Sequence, residues 1–270
     1  MSDRTTVAVV GVGAMGSALV SGLLAAGWEP QDISLAVRRL DHAEEVAERT
    51  GCKVSLDPIE AIAGSDLVVV AVKPRDVAGL LKVLAGNVTD GQTILSLAAG
   101  VTTAAYETQL GDVPVVRAMP NTPALVREGV TGIAAGSHAG TAHLDLASEV
   151  LGAVGSVRIM EESLLDAVTA VSGTGPAYVF LLAEALTEAA MREGLPRDVA
   201  EKFVHQTIRG AGHLLTDTSK SPARLRYEVT SPGGTTAAAM HVLEEKGFRA
   251  VVEDAVRAAA IRARELGGGS

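Results

Sequence analysis

The segment "VAVVGVGAMGSALVSGLL", Val7–Leu24, decides the fold. A valine-rich run leads into Gly11, Gly13 and Gly16 at the spacing G-x-G-x-x-G. The apolar period then changes, with Met15, Leu19 and Leu23 recurring every fourth residue. A buried strand, a tight turn and a helix satisfy these patterns together. Each glycine has its own physical reason. Gly11 permits the turn, Gly13 lets a pyrophosphate reach the backbone, and Gly16 lets helix and strand close together. The helix opening at Ala14 and Met15 then points its first N–H groups at the phosphates. No charge occurs from Val7 to Trp28, which imitates a signal peptide or a membrane span. Gly11, Gly13, Gly16, Gly22 and Gly27 interrupt the stretch before any apolar block reaches spanning length, so export and insertion are not expected.

Outward from this unit the same grammar repeats. "DISLAVRR" (32–39), "DLVVVAV" (66–72), "TILSLAAG" (93–100), "VPVVRAM" (113–119), "GVTGIAAG" (129–136) and "GSVRIM" (155–160) are strand candidates. The earlier ones are apolar on both faces, as in a parallel sheet covered by helices. "DHAEEVAERTG" (41–51) is an amphipathic helix stopped by Gly51. Residues 1–160 therefore form an α/β domain with a doubly wound sheet.

Beyond Met160 the strand candidates end, and residues 161–270 predict an all-α domain. A Gly-Thr-Gly-Pro break (173–176) separates two helices, and the second, Ala177–Ala190, carries Tyr178, Phe180, Leu181, Leu182 and Leu186 around most of its circumference. A helix apolar all round must be buried. Two arrangements bury it: a subunit interface, or the centre of a bundle within one chain.

The 270 residues are 47% hydrophobic but only 3% aromatic, so the core is built from Ala, Val and Leu. A net charge of −9 argues against nucleic-acid binding. Cys52 is the single cysteine, which excludes an internal disulfide and a cysteine zinc site and suits a cytoplasmic protein. No cluster has metal-ligand spacing.

Cofactor choice is set at the end of the second strand. An acid there would bind a ribose 2′-OH, but the chain has Arg38 and Arg39. Paired guanidiniums suit a 2′-phosphate, which favours NADPH over NADH, with a solvated arginine pair as the alternative. Ligands of open α/β sheets lie past the carboxyl ends of the strands. Those ends supply Ala71, Val72, Lys73 and Pro74, then Ala98, then Met119, Pro120 and Asn121. Lys73 is an ammonium facing the crevice or a plain surface lysine. "MPNTP" is a rigid wall with Asn121 and Thr122 as uncharged donors. The six histidines fall in helical or loop patterns, and no acid–base pair stands out. Reduction of a polarised C=N bond needs less proton management than oxidation of an alcohol.

"SPGGTTAAAMHVLE" (231–244) resembles the signature segment of pyrroline-5-carboxylate reductases. The resemblance extends to "AVKP", "RAMPNTP", "AVSGTGPAY" (170–178) and "GFRAVVEDAVRAA.IRARELG" (247–267). It implies NAD(P)H-dependent reduction of 1-pyrroline-5-carboxylate to L-proline, a Rossmann-type N-terminal domain and a helical dimerisation domain, assembled as homodimers or homodecamers. It further implies that Thr236 bonds the ring nitrogen, that Val229, Ser231, Gly233, Gly234 and Thr235 receive the carboxylate, and that Lys73 lies near the cofactor. Pro232, Gly233 and Gly234 are then expected to expose successive N–H groups as a carboxylate nest. A reductase of another cyclic imine or keto acid, or a non-catalytic NADP-binding sensor or assembly protein, are the competing readings.

Overall fold

The computed structural model describes residues 5–267. Eight strands form one sheet: β1 (Val7–Val10), β2 (Ile33–Ala36), β3 (Lys53–Ser55), β4 (Leu67–Val70), β5 (Thr93–Ser96), β6 (Val115–Met119), β7 (Gly129–Ala135) and β8 (Gly155–Ile159). The helices are α1 (Ala14–Ala25), α2 (Leu40–Thr50), α3 (Pro58–Ile62), α4 (Pro74–Leu84), α5 (Thr103–Leu110), α6 (Thr141–Gly152) and α7 (Leu165–Val168), then α8 (Gly175–Arg192), α9 (Arg197–Asp217), α10 (Pro222–Glu228), α11 (Thr235–Glu245) and α12 (Phe248–Gly267).

The strand order is β3-β2-β1-β4-β5-β6-β7-β8, parallel throughout except for the antiparallel β6–β7 pair. Chain direction across the sheet reverses between β1 and β4, which places the Gly11–Gly16 turn at the topological switch point. Alternate strand residues feed two cores. Val7, Val9, Leu35, Leu67, Val69 and Leu95 face a cluster with Leu19 and Leu23 of α1, against which Trp28 packs half-buried. Ala8, Val10, Val68, Val70 and Ile94 face Leu81 and Leu84 of α4 and the fully buried Tyr106 of α5. Burial pushes the Tyr106 phenol up to about 12, tempered by its hydrogen bond with Ser96 and by the charge of Arg117.

Two findings differ from the sequence reading. Lys53–Ser55 is an additional edge strand whose three residues show no alternation strong enough to announce it. The Gly173–Pro176 break is also not a break: Thr169–Gly173 winds as a π-helical turn and α8 begins at Gly175. A side chain at 173 would drive its Cβ to 2.7 Å from Met119 Cε, so glycine lets the turn pass Met119.

By compactness the chain divides after Thr174 rather than after Met160, into one unit of 5–174 with 259–267 and another of 175–258. Residues 161–174 stay with the sheet because Leu165 is fully buried there and Glu162 and Asp166 pair with Arg117 of β6. In the helical unit α8 packs on α9, yet Phe180 and Leu181 are 64% and 65% exposed. That removes the reading of this helix as the centre of a bundle within one chain and leaves its apolar face for a second copy. By length and composition alone the helical run Glu162–Arg192 could also cross a membrane.

Candidate active site

The turn after β1 takes the form its glycines require. Gly11 has φ +99°, and a Cβ there would meet Val72 Cγ1 at 2.9 Å and the Ala71 carbonyl carbon at 3.0 Å, so the turn lies directly on the end of β4. A Cβ on Gly16 would collide with the Gly11 carbonyl oxygen. Gly13 is different, because nothing lies within 4 Å of its Cβ position. It is the N-cap of α1, and no side chain caps that helix end. An open approach to an uncapped helix N-terminus, with Ala14 and Met15 in the first turn, fits the pyrophosphate of a dinucleotide.

Arg38 and Arg39 follow β2 with side chains 82% and 73% exposed. Arg39 Nε is 3.2 Å from Asp41 Oδ1, and Arg38 Nη1 is 3.5 Å from Asp76 Oδ2. That Asp76 oxygen is buried and accepts no hydrogen bond, so the Arg38 charge is what compensates it. Asp76 sits in the first turn of α4, after Lys73 as N-cap and Pro74 as the first helical residue, and its N–H donates to the Lys73 carbonyl at 2.8 Å. Lys73 itself is exposed. The β1 turn, Ala71, Val72 and the arginine pair thus meet around one end of the sheet, with exposed cations and open backbone donors.

Ala98 is buried, and its N–H donates to Ser96 Oγ at 3.3 Å. Met119 and Pro120 lead out of β6 as a wall, but Asn121 is a clamp rather than an outward donor. Its Nδ2 donates to the Ser172 carbonyl at 3.1 Å, and its Oδ1 accepts the Val130 N–H at 2.9 Å. One side chain joins the β6 exit, the start of β7 and the π-turn. Sequence reasoning also passed over Arg117, whose residue type in an apolar strand was the available signal. It is 5% exposed and pairs with Glu162 and Asp166, and Glu162 in turn accepts from the Thr103 N–H and hydroxyl at 2.9 and 2.7 Å.

The second group of candidates belongs to the helical unit. Val229 caps the C-terminus of α10 and is exposed. Ser231, Pro232, Gly233 and Gly234 make a turn with proline second and a positive-φ glycine (+68°) third, closed by Gly234 N–H donating to the Ser231 carbonyl at 3.1 Å. The expected nest is therefore one donor shorter, because that bond occupies the Gly234 amide. A Cβ on Gly234 would also collide with Ser231 Oγ. Gly234 is the N-cap of α11 without a side-chain cap, so the first-turn amides of Thr235 and Thr236 remain as donors for an anion. Glu228, just before the loop, is held below the usual carboxylate range by hydrogen bonds from Lys220 and Arg224. Among the described residues no group of His, Cys, Asp and Glu could hold a metal ion.

Comparison with known proteins matches both the sheet and the helices. Residues 162–266 match a model described as pyrroline-5-carboxylate reductase dimerisation, and residues 6–100 match one described as NADP oxidoreductase coenzyme F420-dependent. A pyrroline-5-carboxylate reductase of Corynebacterium melassecola is 40% identical, the alignment covering 97% of this chain and 99% of that one. The structure of a pyrroline-5-carboxylate reductase from Coxiella burnetii superposes with a TM-score of 0.94 at 38% identity, covering 98% of this chain and 99% of that one. The Plasmodium falciparum pyrroline carboxylate reductase with NADP bound gives 0.87 at 26% identity, with 98% and 99% covered. With this identity end to end, over both the sheet and the helices, the chain belongs to the pyrroline-5-carboxylate reductase family.

Proposed function

We propose that this chain reduces 1-pyrroline-5-carboxylate to L-proline, the last step of proline synthesis, with NADPH as the preferred donor and NADH as a weaker one. The observation that carries the reading is the Ser231–Thr236 turn at an uncapped helix N-terminus, in a chain that aligns end to end with reductases of that name. A bound dihydronicotinamide supplies the hydride for the imine carbon, and the electron pair of the C=N bond stays on a nitrogen that ends as the proline amine. Thr236 holds that nitrogen by a hydrogen bond and orients the ring. A hydroxyl does not titrate near neutral pH, so the proton comes from solution or from protonated substrate. Ser231, Gly233, Gly234 and Thr235, with Val229 beside them, receive the carboxylate, and Lys73 adds long-range attraction for the anion. Gly11, Gly13, Ala14, Met15 and Gly16 hold the pyrophosphate and Arg38 and Arg39 the 2′-phosphate. Ala71, Val72, Pro74, Ala98, Met119, Pro120 and Asn121 line the cofactor, Asn121 through its backbone.

The helical unit, residues 175–258, acts as the dimerisation and substrate half. The assembly is a homodimer that builds further to a homodecamer, working in the cytoplasm without a nucleic-acid or membrane partner. The deciding experiment follows NADPH oxidation on adding pyrroline-5-carboxylate. Cofactor binding without turnover would make the chain a binding protein, and turnover with a different cyclic imine alone would change the substrate.

A further inference from the structure

The Gly11–Gly13 turn has a weakness that its glycines create. The peptide between Val12 and Gly13 turns about one bond of each residue, Gly13 carries no side chain to resist that rotation, and α1 has no side-chain cap. That peptide matters, because its N–H belongs to Gly13. A trans peptide is planar with C=O and N–H pointing in opposite directions, so whatever fixes the Val12 carbonyl also aims the Gly13 N–H. The chain has no cis peptide among its described residues.

The Val12 carbonyl is fixed from outside the turn. His42, in the first turn of α2, places Nε2 3.0 Å from the Val12 oxygen. A carbonyl only accepts, so Nε2 carries the proton and donates. Glu45 Oε2, three residues further along α2, lies 3.3 Å from Nδ1, a contact that becomes a second hydrogen bond when the ring carries protons on both nitrogens. Ser17 Oγ, 3.5 Å from the same carbonyl, is a long second contact. His42 stands three residues after Arg39, the N-cap of α2, so the helix begins at the paired guanidiniums and grips the phosphate turn within its first turn.

The geometry points to His42 as a positioning residue for the cofactor: it anchors the Val12 carbonyl and so presents the Gly13 N–H to the pyrophosphate. This deepens the reading of the turn as a dinucleotide site and rests on it. NADH and NADPH share the pyrophosphate, so His42 acts on both equally, whereas Arg38 and Arg39 act through the 2′-phosphate that NADPH alone carries.

The test is equilibrium titration of the purified protein with NADPH and with NADH, followed by fluorescence and without substrate. The result therefore does not depend on which imine is reduced. His42→Ala weakens both cofactors by the same factor, about tenfold, the equivalent of one well-placed hydrogen bond. His42→Gln, whose amide nitrogen reaches about as far as Nε2, keeps affinity within a few-fold of the parent, and His42→Asn, which is too short, behaves as alanine does. The Gln/Asn contrast carries the test if His42→Ala fails to fold. Unchanged affinity in His42→Ala, equal behaviour of Gln and Asn, or a loss confined to NADPH would each overturn the proposal.

Discussion

Arg117 Nη1 lies 3.1 Å from Glu162 Oε1, an ion pair joining a buried strand to a residue 45 positions later in the chain. The arginine side chain is 6% exposed and its acidic partners are 27% and 26% exposed. Removing the cation would leave both carboxylates without the charge that pairs them, and Glu162 with only its two hydrogen bonds from Thr103. Arg117→Met is expected to cost about 3 kcal/mol, the low end for a broken buried pair because its partners reach solvent. Chemical denaturation checks this, and Arg117→Lys should recover only part, since an ammonium cannot fork to both carboxylates.

Two glycines five and two residues after Gly11 separate folding from binding. Gly16→Ala forces a Cβ onto the Gly11 carbonyl and should lower the melting temperature markedly. Gly13→Ala meets no protein atom within 4 Å, so the variant should fold as the parent does. Its NADPH affinity should nevertheless fall by about tenfold or more, because the methyl group occupies the pyrophosphate approach. Comparable melting together with lost binding, measured on one preparation, is the expected pair of results.

Replacing Arg38 or Arg39 by Ala should weaken NADPH about tenfold and leave NADH nearly unchanged, the scale of one charge-assisted hydrogen bond. Arg38→Ala carries an added cost, since the buried Asp76 oxygen loses its compensating charge. The double variant Arg38→Ala/Asp76→Asn should relieve that cost while keeping the cofactor phenotype.

Thr236→Val keeps shape and removes the hydroxyl. Turnover is expected to fall by about tenfold to a hundredfold, with NADPH affinity unchanged, if the hydroxyl orients the ring nitrogen. Thr236→Ser should retain most activity. A valine variant with parental kcat and KM would leave Thr236 without the role given to it.

The exposed apolar face of α8 sets the expectation for assembly. The chain self-associates through its dimerisation region. Phe180→Glu or Leu181→Glu places a charge where each side chain is now more than half exposed, so the isolated chain should still fold. Sedimentation should show a shift to monomers at micromolar concentration, because burying an unpaired carboxylate costs several kcal/mol.

Local pattern revealed whatever was local. Short apolar and β-branched runs announced seven of the strands, and Gly11, Gly13 and Gly16 the turn, because strand burial and backbone sterics leave few other solutions. Lys53–Ser55 escaped because a three-residue edge strand carries no period. The π-turn at Thr169–Gly173 escaped because its need for glycine comes from Met119, a residue distant in sequence. Asn121 looked like a donor for a ligand because its residue type is the same whether it clamps or recognises. Only the positions of Ser172 and Val130 separate the two. The Gly234 amide was misjudged for a similar reason, since a turn consumes one of the donors it displays.

Trp28 is the chain's single tryptophan, and it packs on the α1 side of the sheet. Its emission therefore reports on one compact unit alone, while ellipticity at helical wavelengths draws on the helices of both. Followed during one melt, the two optical signals set one unit against the whole chain. Any gap between their midpoints shows that the sheet and the helical unit do not melt as one.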